Sequence, residues 1–155
     1  MTRSGAGTRH QSQMQNLSPS QLKKALVEAG FIVFRTLPEE VVLAERVREN
    51  LILDSGIRLR AAPNLGVRVV FRVQSGSFPG EDDAKLFERA RGLAAPVLVR
   101  GFQEVSHQTS TVTDPGDSTR KLDTFYEVIF DRAATSLEAA LDDVRFAFGL
   151  NRVAH

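Results

Sequence analysis

The sequence contains no cysteine and no tryptophan, and it has one tyrosine among its 155 residues. The absence of cysteine excludes disulfides and thiolate chemistry, and it fits a cytoplasmic location. No apolar run approaches the roughly 20 residues that a membrane-spanning helix needs. Residues 1–16 also lack the apolar segment of a secretory signal. We therefore expect a cytoplasmic protein that makes no membrane contact.

The chain also lacks an excess of charge of one sign. It carries 20 basic and 19 acidic residues, and Arg3 and Arg9 are the only charged residues before Ser18. Without these two arginines, 18 basic residues stand against 19 acidic ones. Proteins that bind nucleic acid through its phosphates usually have a large basic excess. General nucleic-acid binding is therefore not favoured.

Length and composition predict one folded domain preceded by a polar segment. A chain of 155 residues can bury a core without disulfides or metals. Residues 1–17 are rich in Ser, Gln, Gly and Thr, which favours a disordered tail. We expect a single α+β domain over residues 18–150 and a short C-terminal tail at residues 151–155.

Apolar spacing predicts four helices and five strands. Capping-box spacings mark the start of the first and last helices, with Ser18 and Gln21 in one and Thr135 and Glu138 in the other. We expect helices within residues 18–30, 36–56, 82–94 and 135–148, and strands at 31–35, 57–60, 67–73, 97–105 and 122–131. The middle of this order is β-α-β-β-α-β, the ferredoxin-like arrangement, extended by a fifth strand and by a helix at each end. This order predicts a mainly antiparallel sheet with the strands at Phe31 and Val67 in its centre.

Two neighbouring segments alternate arginine with apolar residues. They are residues 57–60 and 67–73, separated by a break that contains Pro63 and Gly66. Strand side chains point alternately to opposite faces, so one face is apolar and the other is basic. The basic face holds four arginines: Arg58, Arg60, Arg68 and Arg72.

The last predicted strand alternates in the same way but carries acids. Asp123, Glu127 and Asp131 share one face of it. In the ferredoxin-like order this strand lies at one sheet edge and the arginine strands at the other, about 14 Å away by strand spacing. That separation would leave both charged faces open to a partner. If the two kinds of strand are adjacent instead, cross-strand ion pairs neutralise them.

Two further features are candidates for contact with a partner. Residues 106–121 are polar and threonine-rich around an Asp-Pro-Gly-Asp turn, which indicates either a projecting two-stranded arm or a mobile loop. A flexible tip is the simpler interpretation. Phe146 projects away from the apolar face of the last helix, which makes it a candidate anchor for a partner.

No group of residues predicts catalysis, a metal or a cofactor. The histidines, His10, His107 and His155, are scattered, and without cysteine no zinc-binding set can be formed from them. Phosphate-binding glycine loops and the nucleophile-elbow pattern are absent from the sequence. We expect no cofactor and no metal.

The sequence therefore favours a non-catalytic protein-interaction or regulatory module that self-associates or binds another protein. Its candidate interaction residues are Arg58, Arg60, Arg68, Arg72, Asp123, Glu127, Asp131 and Phe146. An alternative is anion or nucleic-acid binding through the arginine-lined face. Against RNA binding, Val67 and Val69 occupy the strand on which RNA-binding domains of this topology carry stacking aromatics. A small-molecule enzyme or sensor with an unidentified site is the third hypothesis.

Overall fold

A computed structural model describes residues 17–155 as an α+β fold with an open, mostly antiparallel sheet. Four helices are present in this part of the chain: α1 (Pro19–Glu28), α2 (Asp83–Leu93), α3 (Ala95–Arg100) and α4 (Leu137–Phe148). Its seven strands are β1 (Ile32–Thr36), β2 (Glu40–Arg48), β3 (Leu51–Arg60), β4 (Gly66–Gln74), β5 (Gln103–Asp114), β6 (Asp117–Ala133) and β7 (Val153–Ala154). Apart from Leu17, the predicted disordered tail lies outside the described residues.

The strands follow the order β1-β2-β3-β4-β6-β5, and β7 pairs with β4. This order differs from the predicted ferredoxin-like one. The acidic strand β6 lies beside β4, and not at the opposite edge of the sheet. Strand β7 is parallel to β4, with Arg72 opposite Val153 and Val73 opposite Ala154. Residues that the sequence suggested as a C-terminal tail thus include a sheet strand.

The helix predicted within residues 36–56 is wrong, because this segment forms the β2–β3 hairpin. Val41 and Val42 are β-branched and fully buried, as suits a strand covered on both faces. Gly56 does not end a helix. It has a left-handed φ of 77° within β3, and its N–H donates to the Asp54 carboxylate at 2.8 Å. Glycine is suited to this position because it adopts positive φ without steric cost.

The strand predicted at residues 97–105 is wrong in its first half. Residues 95–100 form α3, with Pro96 in the first turn, and Gly101 ends this helix at a φ of 105°. Proline is favoured in the first turn because its missing N–H has no helical acceptor there. Pro96 therefore starts a second short helix after α2, and β5 begins only at Gln103.

Local signals placed the two terminal helices more accurately. The capping box at Ser18 and Gln21 is confirmed, with hydrogen bonds of 3.2 and 2.8 Å between side chains and backbone. Helix α4 is capped by Ser136 rather than Thr135, through a bond from Ala139 N at 3.1 Å. Its fully buried face is formed by small residues and one acid: Ala140, Asp143, Val144 and Ala147.

The chain divides into two compact units, each with its own buried residues. Of the described residues, the first unit comprises 17–68 together with Arg132–Gly149, and the second comprises Val69–Asp131 with Leu150–His155. In the first unit the core includes Leu22, Leu26, Leu43, Ile57, Leu59 and Val67. In the second it includes Val69, Phe71, Val73, Phe102, Val128 and Phe130.

Candidate interaction surfaces

The polar segment at residues 106–121 is an ordered two-stranded arm. Strands β5 and β6 pair antiparallel from Gln103 opposite Asp131 out to Asp114 opposite Asp117. At the tip, the Asp114 carboxylate accepts a hydrogen bond from Gly116 N at 2.8 Å, which closes the turn. Of the two alternatives for this segment, the structure shows the two-stranded arm and not a loop.

Aromatic contacts hold the base of the arm against α2. The Phe87 ring packs edge-on against His107 at 4.8 Å and against Tyr126 at 5.0 Å between ring centroids. The Tyr126 hydroxyl donates to Asp83 at 2.6 Å, and this hydrogen bond raises the pKa of Tyr126. These contacts orient the arm within the second unit.

Strand β5 is the last strand of the sheet and is exposed along nearly its whole length. Its residues 105–113 contain no acid, no lysine or arginine and no proline. Val105 and Val112 are 51% and 39% exposed. Proteins usually protect an edge strand with charge, proline or a covering element, because its free N–H and C=O groups can pair with another strand. This edge has no protecting residue over residues 105–113.

The acids at the two ends of β5 are neutralised within the chain. The Glu104 carboxylate accepts two hydrogen bonds from Arg91, at 2.8 and 3.1 Å, and the bonding to Arg91 lowers the pKa of Glu104. At the other end, Asp114 lies 3.5 Å from a guanidinium nitrogen of Arg120. The exposed edge is thus close to neutral over its whole length.

The predicted arginine face already has acidic partners at two positions. Arg72 pairs with Glu127 at 3.0 Å, and the Glu127 residue is only 6% exposed. Gln108 donates a second hydrogen bond to the same carboxylate at 2.9 Å. Because β4 and β6 are adjacent, the sheet brings together one predicted arginine and one predicted acid. The expectation that they lie at opposite edges is wrong.

Arg58 is engaged in the first unit by acids that the sequence did not single out. It pairs with Glu40 at 3.0 Å and lies 3.7 Å from Asp54. Both acids come from the segment predicted as a helix, so their approach to Arg58 depends on the β2–β3 hairpin. The contact with Glu40 follows from the strand register. Glu40 lies opposite Arg60 and Val42 lies opposite Arg58, so Glu40 is a diagonal neighbour of Arg58.

The remaining candidates, Arg60, Arg68, Asp131 and Phe146, are half-buried. Arg60 donates to the Asn64 carbonyl at 2.9 Å. Arg68 lies on β4, Asp131 lies opposite Gln103 at the base of the arm, and Phe146 lies on α4. Phe146 is not a fully exposed anchor.

Asp123 binds a loop rather than standing free on an acidic face. Its carboxylate accepts hydrogen bonds from Gln74 Nε2 at 2.7 Å, from Ser75 Oγ at 3.0 Å and from Gly76 N at 3.0 Å. Bonding to Gln74, followed by the Thr124 N–H, lowers the pKa of Asp123. This carboxylate therefore fixes the turn at the end of β4.

Replacing Asp123 by alanine is expected to destabilise the fold by about 2 kcal/mol at pH 7, because several hydrogen bonds to a charged acceptor are lost. A carboxylate whose folded pKa is depressed stabilises the fold above its unfolded pKa of about 3.9, and loses that contribution as pH falls through the folded value. The wild-type advantage over Asp123→Ala should therefore shrink below about pH 4. Urea denaturation across pH 7 to 3 measures it.

The matched control for this prediction is Asp142→Ala, which removes an exposed acid on α4. Asp142 pairs with Arg145 at 3.2 Å, and its side chain is 60% exposed. Such pairs contribute at most about 1 kcal/mol. Equal losses for the two alanine variants at pH 7 would contradict the role assigned to Asp123.

Two kinds of feature are absent from the described residues. Within residues 17–155, no group of three or more His, Asp or Glu side chains is arranged to hold a metal ion. In the same range, no helix is long and apolar enough to cross a membrane.

Fold and contacts together define an α+β protein with an open sheet and an uncharged edge. Comparisons with protein-family models, with curated proteins and with solved structures give no match.

Proposed function

We propose that this chain is a non-catalytic interaction module that self-associates, two copies joining by antiparallel pairing of their β5 strands. The observation that carries the proposal is the exposed β5 edge, which is uncharged over residues 105–113. An edge strand offers a row of backbone donors and acceptors to a second strand. Val, Thr and other β-branched residues favour the extended conformation that this pairing needs.

A second copy is the partner that matches this edge. In an antiparallel pairing centred on Thr109, Gln108 of one copy lies opposite Ser110 of the other, and His107 lies opposite Thr111. No like charges oppose one another until the ends, where Glu104 meets Asp114. Arg91 and Arg120 neutralise those two acids within each copy. This pairing has a two-fold rotation axis, so both copies use the same surface, as in most homodimers.

We assign the interaction to the arm rather than to the charged sheet faces. Arg58 and Arg72 each have an acidic partner within their own unit, which weakens the case for a charged surface awaiting a partner. The module would act in the cytoplasm and without a cofactor. The absence of cysteine supports that location.

Light scattering after size-exclusion chromatography tests the proposal. We expect the wild-type chain to have the mass of two chains, and Thr109→Lys to have the mass of one. A lysine on an edge strand opposes edge-to-edge pairing, and here it would place two ammonium groups opposite each other. Ser118→Lys is the control, since it adds the same charge on the other strand of the arm, where Ser118 is also exposed.

A wild-type chain that stays monomeric at about millimolar concentration, where contacts worth about 4 kcal/mol are detected, would overturn the proposal. Equal dissociation by Ser118→Lys and Thr109→Lys would also count against β5 as the contact. A dimer that survives a rise in salt from about 0.05 to about 1 M supports pairing through an uncharged edge. A dimer that dissociates over this range indicates contact through the charged faces.

A further inference from the structure

We infer that the first unit contains a binding site for a small, uncharged molecule with an apolar body. The site is a cavity of about 480 Å³ between the β1–β2 turn and the β3–β4 connection. Pockets for small ligands commonly have volumes of about 300–1,000 Å³, so a metabolite-sized molecule fits here. All of the lining residues belong to the first unit, whereas β5 belongs to the second. Binding to this cavity can therefore be tested apart from self-association.

Backbone hydrogen bonds fix the walls of this cavity. Leu37 N donates to the Glu40 carbonyl at 2.8 Å and closes the β1–β2 turn. The Glu39 carbonyl accepts hydrogen bonds from Ala61 N at 2.7 Å and from Ala62 N at 3.3 Å, which tie this turn to the start of the β3–β4 connection. A site whose walls are already ordered loses less conformational entropy when a ligand binds.

Apolar side chains form one part of the lining. Leu37 and Pro38 come from the β1–β2 turn, and Ala62 and Pro63 come from the β3–β4 connection. The two prolines are exposed, and Leu37 and Ala62 are half-buried, so all four still present apolar surface to water. A ligand that covers this surface removes it from water, and the gain grows with the apolar area that is covered. These residues therefore favour a ligand with an apolar body.

The charges around the cavity balance one another. Its lining carries two acids and two arginines: Glu39, Glu40, Arg60 and Arg68. Arg58 pairs with Glu40 at 3.0 Å from outside the lining and lies 3.7 Å from Asp54, so this further ion pair adds no net charge. An ion of either sign would be attracted by some of these groups and repelled by the others, while it lost part of its own hydration. An uncharged ligand avoids that cost.

NMR titration of the full chain with probes that share one cyclohexane ring tests both the site and the class of ligand. The probes are cyclohexanol, cyclohexanecarboxylate and cyclohexylammonium, each added at constant ionic strength. Cyclohexanol should shift the amide signals of Leu37 and Ala62 and saturate at about millimolar concentration, as suits so small a ligand. Each charged probe should bind at least about tenfold more weakly, because its ionic group loses hydration in a cavity of balanced charge.

Ala62→Phe should abolish the shift of the Leu37 signal, because the added ring fills part of the cavity that Ala62 lines. Ala84→Phe is the matched control, since Ala84 is exposed on α2 in the second unit, and this variant should bind cyclohexanol as the wild type does. The proposed site is wrong if cyclohexanol gives no saturable shift, if a charged probe binds as tightly as cyclohexanol, or if the two phenylalanine variants weaken binding equally. The first two results come from the wild-type chain, so they do not depend on the folding of a variant.

Discussion

Replacing Arg72 by alanine is expected to lower the free energy of unfolding by about 3–5 kcal/mol, the effect of leaving a buried charge without its partner. The Arg72 guanidinium lies 3.0 Å from the Glu127 carboxylate, and the Glu127 side chain is 7% exposed. Removing the arginine leaves this acid buried, with Gln108 as its remaining hydrogen-bond donor among the contacts described above. Chemical denaturation followed by far-UV circular dichroism measures the loss.

Two variants separate this effect from a general loss of charge. Arg120→Ala removes an arginine whose side chain is 68% exposed and whose pairing with Asp114 is loose, at 3.5 Å. It should cost at most about 1 kcal/mol. The double variant Arg72→Met with Glu127→Leu replaces both charges by apolar groups and should recover most of the stability. A loss for Arg72→Ala no larger than that for Arg120→Ala would contradict the burial argument.

Replacing Phe71 by alanine is expected to destabilise the second unit by about 3–5 kcal/mol, through lost burial and a residual cavity. Phe71 is fully buried on β4, and its ring meets that of Phe130 edge-on at 5.7 Å between centroids. An aromatic pair of this geometry adds about 0.5–1.5 kcal/mol to the area that it buries. Urea denaturation measures the change. If the alanine variant fails to fold, Phe71→Leu replaces it, and we expect a smaller loss of stability from that variant.

The same substitution at an exposed phenylalanine provides the control. Phe34 on β1 is 38% exposed, and the Arg35 guanidinium lies 5.5 Å from its ring centroid. Phe34→Ala should lower stability much less than Phe71→Ala, since less apolar surface returns to water. Similar losses at the two positions would show that β4 is not the centre of the core.

The local signals in the sequence were reliable where neighbouring residues decide the structure. Ser18 and Gln21 cap α1 as predicted, because a capping box needs only residues three positions apart. The alternation along β4 also identified its buried residues correctly: Val67, Val69, Phe71 and Val73 are fully buried. Strand period alone determines which residues share a face.

The sequence misled where two local interpretations were possible. Leu43, Ala44, Val47 and Leu51 have helical spacing, yet the first three lie in β2, which pairs with β1 and β3, and Leu51 begins β3. The β2–β3 hairpin turns at residues 49–50, where Arg48 pairs with Leu51, and the apolar spacing of the segment does not reveal this turn. Within residues 97–100 the valines suggested a strand, but Pro96 and Gly101 bound a short helix there.

The alternating charges of the sequence were sufficient to predict an arginine face on β3 and β4 and an acidic face on β6. They did not determine whether these faces meet, because strand order is set by which strands pair, and that choice depends on packing across the whole sheet. The structure places β6 beside β4, so the half-buried Arg72 pairs with the buried Glu127. The same strand order leaves β5 at the edge of the sheet. The sequence shows that residues 105–113 carry no acid, lysine or arginine, but only the strand order shows that these residues form an exposed edge.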